Sequence, residues 1–402
     1  MKRLFAVILL MGLLLTGCKP AISDVKKPTA PTEIPESTQT EPVEPETETV
    51  PEPEILQQPM VAVSLPVAKE FTANDAGENI FYYEYQDVHL TLQDPDVADS
   101  VILDLLNRIE QTRPLANDVK EQAMFDNGDP YVTFPYLYEI RYTPKRIDQS
   151  VLSFFGTSFR YSGGNHPDHI CMAANYSLIT GEVLTLGSIL THEDSIAPLC
   201  QLVIQELDKI AEDAYLLDDY PQIVSQRFAK EASFDEDWYF TGTGLCFYFA
   251  PYEIAGYASG IITAEVPYSL LTGIIDDAYF PPERDTASGS LQATLQSDVS
   301  MEQFTQIAEV PLDHGGERVF LYTDGALQDL RIEIGYWNED ATVFTADTTV
   351  FATCALTPGD AVVVETYIPD GAPNLRVTYH TDGQEHIAYI SQSGEDGSII
   401  LI

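Results

Sequence analysis

The chain has 402 residues, 45% of them hydrophobic, which is material for two compact domains plus a tail. Its 63 acidic and 20 basic residues give a formal net charge of −43, so it repels nucleic acid and anionic headgroups at range and attracts basic partners or cations. No Lys/Arg cluster follows the first residues, which excludes a nucleic-acid-binding protein.

The N-terminus reads as a targeting segment. Lys2 and Arg3 form a positive n-region, Leu4 to Leu15 an apolar h-region, and Leu15-Thr16-Gly17-Cys18 a cleavage site. The h-region is too short for a comfortable membrane span. The Leu-Thr-Gly-Cys ending resembles the bacterial lipobox, which implies a signal peptide over 1–17, lipidation of the Cys18 thiol and a tether to the outer side of the cytoplasmic membrane. Residues 18–60 are rich in Pro, Thr and Glu and have no apolar face to bury. A self-repelling, partly polyproline spacer is expected there.

A first domain is expected over 61–280. Phe81 to Leu92 alternates as a strand, and Asp94-Pro95 then supplies an N-cap and a proline for the first turn of a helix. Val97, Val101, Leu105 and Ile109 mark that helix's buried stripe. Tyr131 to Tyr142 reads as an aromatic strand ending in a turn at Pro144. Two strands follow around a Gly163-Gly164-Asn165-His166-Pro167 turn, with Phe155, Thr157, Phe159 and Tyr161 on one face of the first. Met172, Ala174, Tyr176 and Leu178 share a face of the second. A second helix is expected from Ser195 to Leu217, then strands within Trp238 to Phe249 and Gly260 to Tyr268. Without regular βαβ spacing, the pattern fits an α+β fold with an antiparallel sheet and two helices.

After a linker at 281–290 the helical periodicity stops. Eight short strands are expected between Phe304 and Ile402, separated by turns such as Asp324-Gly325 and Asp382-Gly383. The region 291–402 is therefore expected to be an all-β, sandwich-like domain.

Two stretches stand out as candidate binding sites. The Gly-Gly-Asn-His-Pro turn exposes His166, Asp168 and His169, the one cluster of metal-competent side chains. It offers three ligands for a zinc ion, or else a partner contact or structural turn. Tyr248, Tyr252, Glu253 and Tyr257 form an aromatic, acidic run around Pro251. Tyrosine suits an interface, and Glu253 is expected to pair with an arginine of a basic ligand; the alternative is that the tyrosines fill a sheet edge. Searches for nucleophile motifs fail: there is no Gly-x-Ser-x-Gly, SxxK or HExxH. Binding is therefore expected over catalysis, which stays open as the alternative, and no cofactor is expected. Cys171, Cys200, Cys246 and Cys354 lack CxxC spacing and have apolar neighbours, which favours free, buried thiols over disulfides.

Three separated stretches carry a family resemblance: YSGGNHPDH, ANYSLITGEVLTLGSIL, and LCFYFAPYEIAGYASGIITAEVPYSLL. Together they resemble the extracytoplasmic sensor domain of the RsiV-like anti-sigma factors, and the accessory domain of some peptidoglycan deacetylases, over roughly residues 75–275. The resemblance implies an α+β domain that binds a C-type lysozyme. Asn165 departs from the alanine common in the family, and neither a sigma-binding segment, a membrane-spanning helix nor a deacetylase domain accompanies the match. It implies a membrane-anchored binding lipoprotein, its ligand lysozyme, another basic wall-active protein or a cell-wall glycan. The candidate ligand-binding residues are Tyr161, Gly163, Gly164, Asn165, His166, His169, Tyr252, Glu253 and Tyr257. The alternative is a peptidoglycan-acting enzyme or enzyme accessory with a metal at His166, Asp168 and His169.

Overall fold

The structure is a computed structural model that describes residues 59–129, 131–164, 166–229, 237–282, 288–338, 342–369 and 372–402. The signal segment, Cys18, the acidic spacer through residue 58, Asn165 and half of the expected linker, residues 283–287, lie outside the described residues. Among the described residues no helix is long and apolar enough to cross a membrane.

β1 (Ala62–Ser64) is fully buried, β2 (Val67–Ala73) and β3 (Asn79–Gln86) pair antiparallel, and β4 (His89–Thr91) departs for another sheet. The single strand expected over Phe81 to Leu92 is therefore two. Asp87 divides it: its amide bonds the Pro66 carbonyl at 2.9 Å and its carboxylate takes the Val88 amide at 2.9 Å.

α1 (Pro95–Gln111) starts at the expected cap. Asp94 accepts from the Asp96 and Val97 amides, and Val97, Val101, Leu105 and Ile109 are buried. Burial of each such aliphatic side chain contributes about 1.5–3 kcal/mol. α2 (Arg113–Asp126) follows after one residue. Its hydrophobic pattern is muted because the buried positions are the small Ala116, Val119 and Ala123.

β5 (Tyr136–Ile147), β6 (Val151–Tyr161) and β7 (Asp168–Ser177) complete a five-stranded sheet of order β2-β3-β5-β6-β7. Only β3 and β5 are parallel within it, and α1 with α2 forms the crossover that such a pair requires. The turn expected at Pro144 is instead a bulge inside β5, where Pro144 still pairs with Phe154 and the register shifts before Arg146. One face of this sheet packs Tyr138, Tyr142, Phe154 and Tyr176 against Val101, Leu105 and Val119 of the helices.

Next come α3 (Leu186–Ile189), α4 (Ile196–Asp208) and α5 (Tyr220–Phe228), leading into β8 (Trp238–Phe240), β9 (Gly244–Phe249), β10 (Ile262–Pro267) and α6 (Tyr268–Leu271). The helix expected over Ser195 to Leu217 ends at Asp208. Beyond it Tyr215 takes a φ of 52°, and the Leu217 amide bonds the Ile254 carbonyl at 2.9 Å, a bond a continuing helix would forfeit. Among the described residues, the region expected to hold two helices thus carries α1, α2, α4 and α5, plus the four-residue α3 and α6 and three single-turn 3-10 helices.

β8, β9 and β10 form a three-stranded antiparallel sheet. Its Trp238, Phe247 and Val266 pack against Leu199, Val203 and Phe228 of α4 and α5. Its other face sets Tyr239, Cys246 and Tyr248 on Phe155, Cys171 and Ala173 of the five-stranded sheet. The two sheets are thereby stacked.

The remaining strands are β11 (Leu291–Leu295), β12 (Gln306–Pro311), β13 (Glu317–Thr323), β14 (Leu327–Trp337), β15 (Phe344–Leu356), β16 (Asp360–Thr366), β17 (Leu375–Thr381), β18 (Gln384–Gln392) and β19 (Ile399–Leu401). A four-stranded sheet of order β11-β13-β16-β12 lies over a seven-stranded one of order β19-β18-β17-β14-β15-β1-β4. Val310, Leu321 and Val362 of the first meet Ile332, Phe351 and Val377 of the second in one core, so the C-terminal region is a β-sandwich. Asp382 and Gly383 both take positive φ, as the two-residue turn between β17 and β18 demands. β1 and β4 belong to the sandwich although they precede α1 in the chain: Ala62 pairs with Thr353 on one side and Thr91 on the other. Val61 and Val63 point into the helix-covered core and Ala62 into the sandwich. The described residues consequently form one compact unit.

Candidate functional site

The β6–β7 turn is built on a glycine that no other residue can replace without strain. Gly163 has a φ of +82°, and a Cβ there would lie 2.6 Å from the Tyr136 hydroxyl oxygen. That hydroxyl donates to Asp126 at 2.8 Å, tying the turn to the end of α2. Gly164 also has positive φ, at +98°, but faces open space. Tyr161 closes the strand and sets its ring edge-on to Tyr136. These residues shape the turn.

The metal-competent side chains of the turn take separate partners. His166 lies against the Tyr257 ring at 5.4 Å, Asp168 pairs with Arg160, and His169 meets the edge of Phe159 at 5.2 Å. Among the described residues no three His, Cys, Asp or Glu side chains converge to hold a metal ion.

The second candidate stretch folds over the first. The Glu253 amide bonds the Ala250 carbonyl at 3.1 Å, with Pro251 and Tyr252 between them. Tyr252 has a φ of +73°, the left-handed value a type II turn needs at its third residue, where glycine is usual. This tyrosine is 73% exposed. Its ring lies 5.5 Å from that of Tyr257, whose hydroxyl donates to the Pro167 carbonyl at 3.3 Å. Tyr252, Tyr257 and His166 thus form a ladder of three rings joining the two stretches.

Glu253 does not take the expected role. It pairs with Arg227 of α5, which also pairs with Asp237, and it accepts the Ala250 amide at 3.0 Å. Burial raises the Glu253 pKa, with Arg227 opposing. The arginine anticipated from a ligand is supplied by the fold itself, and Glu253 braces the turn from within. Tyr248 is likewise internal, fully buried between the stacked sheets.

Beneath the ladder lies a cleft of about 380 Å³ whose lining includes Arg160, Asp168, His169, Tyr252 and Tyr257. Leu115, Tyr138 and Ile170 also line it, and the sequence reading does not single them out. Tyr138 is buried and its hydroxyl has no hydrogen-bond partner among the described residues. The alternation of Tyr136, Tyr138 and Tyr142 in β5 is the signal that could have found it. Phenols, an exposed ion pair and an apolar wall make a surface for binding.

The four cysteines Cys171, Cys200, Cys246 and Cys354 are free. Burial pushes the Cys171 and Cys246 thiols up to about 11, and Cys200 upward also.

Residues 188–269 match the model of a family described as "Protein of unknown function (DUF3298)". The chain is similar to the crystal structure of a DUF3298 family protein from Pseudomonas aeruginosa PAO1, at 16% identity and a TM-score of 0.40, covering 55% of this chain and 97% of that one. It is also similar to the structure of a DUF3298 member from Bacteroides fragilis NCTC 9343, at 16% identity and a TM-score of 0.39, covering 54% of this chain and 94% of that one. No curated protein matches. The matched segment runs from α3 through α4, α5 and the three-stranded sheet to α6, and so includes Tyr252 and Tyr257 but not the β6–β7 turn. Over residues 188–269 the chain carries a DUF3298 domain.

Proposed function

We propose that this chain is a lipid-anchored, extracytoplasmic binding protein whose ring ladder and cleft take a basic, wall-active protein of the C-type lysozyme kind. The observation that carries the reading is the exposed Tyr252, held at a strained backbone angle over Tyr257 and His166. Left-handed φ at a bulky residue costs about 1–3 kcal/mol, which a fold keeps where it serves a site. Tyrosine buries large area at low rotamer cost, so a stacked, pre-set pair suits the centre of an interface. The net charge of −43 speeds encounter with a basic partner. The resemblance of the YSGGNHPDH and FAPYEIAGYASG stretches to RsiV-like sensor domains adds lysozyme as the specific ligand. The Lys2-Arg3, apolar, Leu-Thr-Gly-Cys18 order supports the lipid anchor.

The test is a paired substitution. Tyr252→Ala with Tyr257→Ala is expected to weaken lysozyme binding at least tenfold, measured by surface plasmon resonance on the full chain. Unchanged affinity in a folded double variant removes the cleft from the account.

A further inference from the structure

A second cavity, of about 480 Å³, lies on the face of the seven-stranded sheet turned away from the sandwich core. Strand alternation builds it. Leu330 and Ile332 of β14 and Leu375 and Val377 of β17 enter the core, so Arg331, Arg376 and His380 line the opposite side. Lys145 and Arg146, next to the bulge in β5, close the cavity from the other sheet, and Glu385 lines it opposite His380.

Four of the chain's 20 basic residues therefore meet in one pocket of a protein with a net charge of −43. Two are matched internally: Arg376 by Glu333 at 2.7 Å, and Arg146 by Asp148 at 2.6 Å. The other two are not. Arg331 has no ion pair or side-chain hydrogen bond among the described residues, and Lys145 has only the Phe155 and Tyr239 rings, at 5.7 and 5.9 Å. Burial, and then the neighbouring Arg331, push the Lys145 pKa down. Two like charges are thus held together, neither in an ion pair among the described residues, in a partly enclosed wall that Asp329, Glu333 and Glu385 also line. The wall has further unused capacity. Arg146 is only 3% exposed, and its Nη2, like Nδ1 of His380, is shielded from solvent without a partner among the described residues.

We infer that this cavity binds a small organic anion, a carboxylate or phosphate compound, between Lys145 and Arg331. Guanidinium and ammonium groups are the donors such anions take, and the volume exceeds what a bare oxyanion fills. Glu385 faces the same space and accepts a hydroxyl or amino group of the ligand. The site shares no lining residue with the ring ladder's cleft, so it stands or falls independently of lysozyme binding.

The test is thermal unfolding of the full chain in inorganic phosphate, in succinate, and in sodium chloride of equal ionic strength, for wild type, Arg331→Gln and Lys145→Gln. Wild type is expected to gain several degrees in phosphate or succinate beyond the chloride control, and each variant to lose most of that gain. A gain in phosphate alone or succinate alone supports the site and names the ligand class. In anion-free buffer Arg331→Gln is expected to melt no lower than wild type, because it relieves repulsion from Lys145. No gain over chloride, equal gains in both variants, or a lower anion-free Tm for Arg331→Gln overturns the inference.

Discussion

The Tyr257 hydroxyl donates to the Pro167 carbonyl across 3.3 Å, and this bond closes the DUF3298 segment onto the β6–β7 turn. It makes one surface of two stretches 90 residues apart. Tyr257→Phe removes the bond and keeps the ring. It is expected to cost about 0.5–1.5 kcal/mol of stability, with lysozyme affinity reduced less than by Tyr257→Ala. Denaturant unfolding and binding measured on the same samples check both.

Tyr252 separates stability from binding. Tyr252→Gly relieves the left-handed backbone and removes the exposed ring. The variant is expected to be more stable by about 1 kcal/mol while binding its partner at least tenfold more weakly. A variant that loses stability and keeps affinity argues against a ring held for contact.

The two turn glycines are distinguishable. Gly163→Ala sets a methyl group against the Tyr136 hydroxyl at positive φ, whereas Gly164→Ala meets open space. The expected loss is about 1 kcal/mol for Gly164→Ala and clearly more for Gly163→Ala, since only the second also disturbs the Tyr136–Asp126 bond. Urea midpoints at constant m-value give the comparison.

Arg227 joins Asp237 and Glu253 in a largely buried ion triad. Arg227→Met strands two carboxylates and is expected to cost about 3–5 kcal/mol. Adding Asp237→Asn and Glu253→Gln should recover most of it. Circular dichroism melts of the single and triple variants decide.

Stability should also respond to pH through Glu139. Burial raises its pKa, with Arg141 opposing, so the folded state binds the proton more tightly than the unfolded chain. Its contribution is most favourable below the ordinary glutamate range and declines as pH rises through the folded-state value. Glu139→Gln should therefore raise Tm at pH 7, with the difference vanishing near pH 4. Arg141 also pairs with Glu84 at 2.6 Å, so the substitution leaves it a partner.

What the sequence reveals depends on how local the cause is. The eight strands from β12 to β19 are visible because period-two patterning and Asp-Gly or Pro-Gly turns are written within ten residues of each other. α2 is not, since Ala116, Val119 and Ala123 bury little and leave no strong stripe. The place of β1 in the sandwich has no local signal at all, because Ala62 finds Thr353 across nearly the whole chain. The site divides the same way. His166, Asp168, His169, Tyr252 and Tyr257 are conspicuous as two stretches, but their meeting depends on stacked sheets. Glu253 looks available until α5 brings Arg227 to it, and Arg160, Tyr138, Lys145 and Arg331 read as ordinary strand residues.

The most direct test of the binding account is calorimetric titration of the full chain with a C-type lysozyme. It is run at low and near-physiological salt beside an equally basic, unrelated protein. Saturable one-site binding that persists in salt, is absent for the control and is lost in the Tyr252→Ala/Tyr257→Ala variant is the predicted result. Equal signals for both proteins that vanish with salt would contradict it, reducing the attraction to the chain's negative charge.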